Sequence, residues 1–415
     1  MSERLGKGET SCHLIDFFRD ELDVCALTVF RHNVRFHILA DPEQISDHST
    51  RGEELLSSYR RLLNKLKISE GETDACVTEE AGSLPCRDGE VLGQSEGSDS
   101  GVDVTYRSPD SSTSCGPDDS ADAALRDWML LPCAKDFISQ APAEGQPSHL
   151  TLDQWYHCKT LFYTLKTQDG NLAAVEEKKT KALEERITAL IPCLQLPKYI
   201  LGLKIPLIKA SELELTQTSD SPAPFHPSGA KIGSRRYFVK LVDVSDPQPT
   251  KRELHLLKRI EKLGLNKQFN VPLVEGLIAY GNRKNQIMGF LQTEIIDPKP
   301  LTQMLDSKVP QDKRDAWARE AKRIKDILHE NRIVWGDAKA DNFMVDKHDK
   351  LWIIDFGGSY TEGWIDPELS ETREGDDMGV ERIANGLHDP DANTYSGEEE
   401  TMETESAFKD VHEYI

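Results

Sequence analysis

Asp337, Asn342 and Asp355 have the types and spacing for phosphoryl chemistry. They lie in residues 333–358, IVWGDAKADNFMVDKHDKLWIIDFGG. Two β-prone runs, 343–345 and 351–354, flank the polar turn 346–350, which is a hairpin pattern. Asp337-Ala-Lys-Ala-Asp-Asn342 comes immediately before it and Asp355-Phe-Gly357 immediately after. The hairpin is therefore expected to carry two acidic loops to one end of a sheet. Phosphoryl transfer needs one carboxylate to orient the attacking hydroxyl. It also needs a second carboxylate, with an amide, to hold Mg²⁺ on nucleotide phosphates.

A lysine and a glutamate upstream fit the same chemistry. Residues 237–242 form a β-run with Lys240 inside it, and 251–265 have helical spacing of Leu254, Leu256, Leu257, Ile260 and Leu263. Glu253 precedes Leu256 and Leu257 by one turn, so it points with the apolar face. An unpaired charge there is costly, and Lys240 is the expected partner. The alternative is a surface lysine with a helix-start glutamate that favours the helix dipole.

Together these residues resemble the protein-kinase superfamily. D-F-G alone is a weak signal; D-x-K-x-x-N followed by a hairpin and D-F-G is a specific one. The resemblance implies that Asp337 is the catalytic carboxylate and that Lys339 steadies the γ-phosphate, as in the serine/threonine group. It implies that Asn342 and Asp355 ligate Mg²⁺, and that Lys240 and Glu253 form the pair that aligns ATP phosphates. Strands at 271–280 and 286–296 would lead into a hinge at 293–297, with Glu294, against the adenine ring. The helical pattern at 312–330 would feed the catalytic loop. The fold class expected is α+β: a two-lobe kinase-like fold with an antiparallel β N-lobe and a shortened helical C-lobe, behind an N-terminal helical or mixed extension.

The chain departs from that family in three places. Residues 210–236 hold prolines and single glycines where a glycine-rich loop is expected, so phosphate cradling by backbone N–H groups differs. Trp335-Gly336 replaces the His-Arg pair before Asp337; glycine there is common in small-molecule kinases of the aminoglycoside-phosphotransferase type. The stretch after D-F-G is short, with Asp366-Pro-Glu368 standing in for the A-P-E anchor and Asp376 or Asp377 with Gly379 beginning the next helix. The combined pattern, with Trp128–Pro132, Thr151–Tyr156 and Thr361–Trp364, is similar to truncated kinase-like proteins of filamentous fungi.

The elements around these motifs divide by composition. Residues 14–68 read as a small helical or mixed unit, with a helical start at Leu14, Phe17, Phe18 and Leu22 and a strand at 34–39. Residues 69–122 carry 14 acidic against 2 basic residues and few large apolar ones, so they are expected to be a disordered linker. Ser95, Ser98, Ser100, Ser108, Ser111 and Ser112 in it are candidate phosphorylation sites. Residues 123–197, rich in aromatics, are expected to pack on a kinase-like domain at 198–388, and 389–415 to be an acidic tail. The linker and tail hold almost all of the net charge of −22, which argues against nucleic acid or anionic membrane as partners. The eight cysteines form no C-x-x-C pair, fitting reduced thiols in a cytoplasmic or nuclear setting. No apolar run reaches bilayer length, and the first ten residues lack the apolar core of a signal peptide.

The function expected is an ATP- and Mg²⁺-dependent phosphotransferase acting on a Ser/Thr hydroxyl of a protein or on a small-molecule hydroxyl. The alternatives are a pseudokinase scaffold and an acidic interaction protein led by its tails.

Overall fold

The computed structural model describes residues 12–69, 121–142, 150–220 and 224–393. Most of the acidic linker, its candidate phosphoserines and most of the C-terminal tail lie outside the described residues. The protein is a mixed α+β structure with several sheets. It divides into two units.

The first unit takes in residues up to 148, 154–190 and 218–226. Its sheet is β1 (His13–Arg19), β2 (Cys25–Arg31), β3 (Val34–Ala40), β4 (Lys159–Gln168) and β5 (Asn171–Glu177), in that order. All neighbours are antiparallel except β3 and β4, which run parallel from Val34–Lys159 to Ala40–Leu165. His32-Asn33 and Asp169-Gly170 close two hairpins, each pair at positive φ as a two-residue turn requires. Strand β2 is buried along its whole length, in keeping with five apolar residues among the seven of CALTVFR. One sheet face packs Leu27, Val29, Phe36, Ile38 and Tyr163 against α1 (Thr50–Ser69), α2 (Ala121–Leu130) and α3 (Ala134–Gln140). Helix α1 supplies Leu56, Tyr59 and Leu63, and the Tyr59 hydroxyl donates to the carbonyls of Asp23 and Ala40 at 2.8 and 3.2 Å. Helix α4 (Lys181–Ala189) starts on Thr180, whose side chain caps Leu183 N–H.

Two expectations change here. The apolar spacing at Leu14, Phe17 and Phe18 belongs to a strand, not a helix; a register shift between Leu14 and Asp16 breaks the alternation that would have marked it. Most of the aromatic stretch expected with the following domain belongs to the first unit: Leu125, Met129, Phe137, Leu161 and Leu165 share one core with residues 25–66, while 149–153 and 191–197 fall in the second unit.

The second unit takes in 149–153, 191–217 and the residues from 227 onward. Its larger sheet uses β6 (Leu194–Gln195), β7 (Leu207–Lys209), β8 (Glu214–Ser219), β9 (His226–Ile232), β10 (Arg235–Leu241), β11 (Val274–Ala279) and β12 (Gln286–Thr293). The order is β7-β11-β12-β10-β9-β8, with β6 also on β12. Residues 210–236, where prolines and single glycines stand in place of a glycine-rich loop, include strands β8 and β9. Helix α5 (Gln248–Leu263) follows β10, buries Leu254, Leu257 and Ile260, and ends on Gly264 at φ 71, the left-handed cap glycine supplies.

A second sheet is β13 (Lys299–Pro300), β14 (Phe343–Val345) and β15 (Leu351–Ile353), all antiparallel. Helix α6 (Gln311–Glu330) turns Trp317, Ala321, Ile324 and Leu328 inward at helical spacing. Helix α7 (Arg373–His388) starts on Thr372, whose side chain accepts from Gly375 N–H at 3.0 Å. These elements share a core of Leu254, Phe290, Ile324, Trp335, Phe343, Phe356, Ile383 and Leu387. No helix among the described residues is long and apolar enough to cross a membrane.

Candidate functional site

The hairpin β14–β15 pairs Phe343 with Ile353 and Val345 with Leu351, and Asp346 N–H donates to Lys350 O at 3.0 Å across its turn. At its open end Ile354 N–H donates to Asn342 O at 3.0 Å. The loop ending in Asn342 and the loop beginning at Asp355 are thereby held side by side, as the sequence pattern requires. Asp355 has φ 55, in the left-handed region that asparagine and aspartate tolerate best among residues with a side chain.

Lys240, Glu253 and Asp355 meet at one point. Lys240 Nζ lies 2.6 Å from Glu253 Oε2 and 2.9 Å from Asp355 Oδ1. Glu253 is 1% exposed, and its other oxygen accepts from Gln292 Nε2 at 3.0 Å. The contact with Lys240 is an ion pair rather than an aligned hydrogen bond. Burial opposes the Lys240 charge, but Glu253 and Asp355 outweigh it and raise the ammonium pKa above its ordinary value. Burial also pushes up the Glu253 carboxyl, with Lys240 pulling it back. At Asp355 burial is again the largest influence, yet Lys240 and the Gly357 N–H together keep its carboxyl below the usual carboxylate range.

A second cluster surrounds Asp337, which is 5% exposed. Its Oδ2 accepts from Asn342 Nδ2 at 2.7 Å and faces Lys339 Nζ at 3.2 Å. Its Oδ1 accepts from the Thr361 hydroxyl at 3.1 Å, and Lys339 Nζ donates to that same hydroxyl at 2.9 Å. Asp337, Lys339 and Thr361 thus form a closed ring, with Asn342 on its edge. A carboxylate that holds a hydroxyl at this distance has the geometry of a general base.

The donor set suits a hard divalent cation. Asn342 turns its NH₂ to Asp337, which leaves Oδ1 outward, and Asp355 Oδ2 makes no hydrogen bond among the described residues. One carboxylate oxygen and one amide oxygen are what Mg²⁺ takes from protein before phosphates and water complete its shell. Glu294 stands apart from both clusters. It lies just past β12, where its two oxygens accept from Arg236 Nε, each at 2.8 Å.

Three further residues brace the clusters. The Asp376 carboxylate, 1% exposed on α7, accepts from Trp335 N–H at 2.8 Å, Gly336 N–H at 2.7 Å and His329 Nε2 at 2.9 Å. The Trp335 indole N–H donates to the carbonyls of Ile354 and Asp355 at 3.0 and 2.9 Å. Thr361 closes the ring described above. No local sequence signal gives any of the three a role: Trp335 stands as a departure from the family pattern, Asp376 reads as a helix start, and Thr361 belongs only to a short motif. Of the proposed A-P-E substitute, Asp366 reaches Arg382 at 3.4 Å, while Glu368 is exposed.

Neither the protein-family models nor the curated proteins compared with the chain give a match.

Proposed function

We propose that the second unit is an ATP- and Mg²⁺-dependent phosphotransferase with a two-lobe, protein-kinase-like arrangement whose helical lobe is shortened. The observation that carries the reading is the convergence of two clusters on one hairpin: Lys240–Glu253–Asp355 on one side and Asp337–Lys339–Asn342–Thr361 on the other. In it Lys240, held by Glu253, binds the α- and β-phosphates of ATP. Asn342 and Asp355 would hold Mg²⁺, which supplies charge neutralisation on the phosphate oxygens.

Asp337 takes the place of general base. The acceptor hydroxyl displaces Thr361 from Asp337 Oδ1 and gives its proton to that carboxylate as its oxygen bonds to the γ-phosphorus. The bond from that phosphorus to the β-bridging oxygen breaks, and ADP leaves with the electron pair. Lys339 lies on the same face as Asp337 and steadies charge on the transferred group. The Asp337–Lys339 arrangement supports a Ser/Thr-type hydroxyl, on a protein or a small molecule, as acceptor.

A scaffold that binds partners without turnover is supported by one feature: the β8–β9 connection at 220–225 has no glycine. The two readings separate in one assay. Labelled γ-phosphate from Mg-ATP is offered to the protein itself, to generic proteins and to a panel of hydroxyl-bearing metabolites, with wild type beside Asp337→Asn. Transfer that disappears in the variant supports the enzyme and identifies the acceptor class. A folded wild type that transfers nothing sinks it.

A further inference from the structure

Arg252 precedes Glu253 on α5 and turns the other way. Its Nη1 donates to the carbonyls of Trp335 at 2.8 Å and Phe356 at 2.6 Å, and its Nη2 donates to Val334 O at 3.0 Å. Trp335 lies two residues before Asp337, and Phe356 directly follows Asp355. One guanidinium therefore ties together the two loops that carry both acidic groups. Arginine's planar fork with five donors makes this possible; a lysine has a compact head that cannot span three carbonyls on two loops.

The slot for the guanidinium is built by two glycines. Gly336 has φ 91, and a Cβ there would lie 2.6 Å from Arg252 Nη2. Gly358 has φ 79, and a Cβ there would lie 2.3 Å from Glu371 Oε1 and 3.0 Å from Arg252 Nη1. Both loops give up side chains where the guanidinium enters, so the Gly336 that replaces arginine in the sequence pattern leaves room for an arginine arriving from α5.

We infer that Arg252 is a positioning residue that couples α5 to both acidic loops, so that one helix sets Lys240 through Glu253 and sets Asp337 and Asp355 through the guanidinium. This inference rests on the phosphotransferase reading for its kinetic consequence, but its structural consequence does not.

The test measures both. In the full chain, hydrogen exchange is compared for wild type, Arg252→Ala, Arg252→Lys, Gly336→Ala and the double variant Arg252→Ala/Gly336→Ala. Charge-assisted hydrogen bonds of this kind lead us to expect a rise in exchange of roughly 10- to 100-fold in Arg252→Ala. The rise should appear in peptides spanning 333–338 and 355–359 together, with the β1–β5 sheet unchanged. Gly336→Ala should give the same pattern with a further rise from the strain of a side chain at φ 91, and the double variant should give less than the sum of the two singles, because both remove one contact.

If wild type transfers phosphate, kcat falls by a similar factor in Arg252→Ala while KM for ATP moves less than threefold. Added guanidinium ion restores part of kcat, and Arg252→Lys does not. Exchange that rises only within α5, or additive effects of the two substitutions, would overturn the coupling whatever the enzyme does. A wild type without transfer that still shows the paired, non-additive loosening would sink the phosphotransferase reading and support the coupling.

Discussion

Replacing Asp376 with asparagine keeps shape and removes one acceptor and the charge. In the native protein Oδ2 accepts from Trp335 N–H and His329 Nε2–H, and Oδ1 accepts from Gly336 N–H. An asparagine does best with its oxygen in the Oδ2 position, keeping two bonds. Its NH₂ then faces the Gly336 N–H, leaving a buried donor without an acceptor at a cost of about 1–3 kcal/mol. The two bonds that survive fall from charge-assisted to neutral, at roughly 1 kcal/mol each. The sum is about 3–5 kcal/mol, a large part of the stability of a typical domain. Urea unfolding of the full chain, followed through the transition of the second unit, reads the loss. Amide exchange of a peptide spanning 333–338 locates it, where about 3 kcal/mol corresponds to more than 100-fold faster exchange at roughly 1.4 kcal/mol per tenfold. A midpoint unchanged to within about 0.5 kcal/mol, with Trp335 and Gly336 amides still protected, would refute the idea that Asp376 organises the loop.

Gly289→Ala should disturb Lys240 without touching it: a Cβ at 289 would lie 2.3 Å from Lys240 O, so β10 must shift, and ATP affinity in a fluorescent-nucleotide assay should fall at least tenfold. Glu253→Gln leaves Lys240 with Asp355 alone and is expected to lower phosphate transfer by more than tenfold in protein that is still folded; a wild-type rate would argue against the Lys240–Glu253 pair as an aligning device. His37, 1% exposed, is held down to about 4 by burial first, with Arg186 and Arg35 adding to it. The unfolded chain binds this proton near pH 6.5 and the folded one only near 4, so stability is complete above 6.5 and is lost as pH falls toward 4, by about 3 kcal/mol in all. Hydrogen exchange of β2 and β3 at pH 7 and 4.5, corrected for intrinsic rates, should show this in wild type and not in His37→Gln; equal acid sensitivity in both would exclude His37 as its source.

The parts legible in the sequence are those whose cause is local. The β14–β15 hairpin follows from two short apolar runs around a polar turn, and α5 and α6 follow from apolar residues at helical spacing, so Asp337, Asn342 and Asp355 could be placed before any coordinates. Lys240 and Glu253 could be paired because a carboxylate on an apolar helix face demands a cation, a constraint that one segment states and another satisfies. The first unit could not be assembled this way. Its β3–β4 ladder joins Val34 to Lys159, and between them lies an acidic stretch whose composition reads as a domain boundary, so the parallel pairing has no local signal.

Arg252 and Asp376 failed for a different reason. Each bonds only backbone groups of the loops it braces, apart from the Asp376 contact with His329. A carbonyl or amide N–H belongs to every residue type, so the residues being held carry no mark of being held. The one trace is negative: glycines at 336 and 358, both at positive φ that disfavours a side chain, lie where the guanidinium approaches. Gly336 is visible in the sequence as a departure from the kinase pattern, one that is common in small-molecule kinases of the aminoglycoside-phosphotransferase type. With Arg252 in place it has a physical reason, because a guanidinium from the helix that also carries Glu253 lies where a side chain at 336 would begin. A departure that removes a side chain at one position and is matched by a side chain filling that space is weaker evidence against function than one that leaves the space empty.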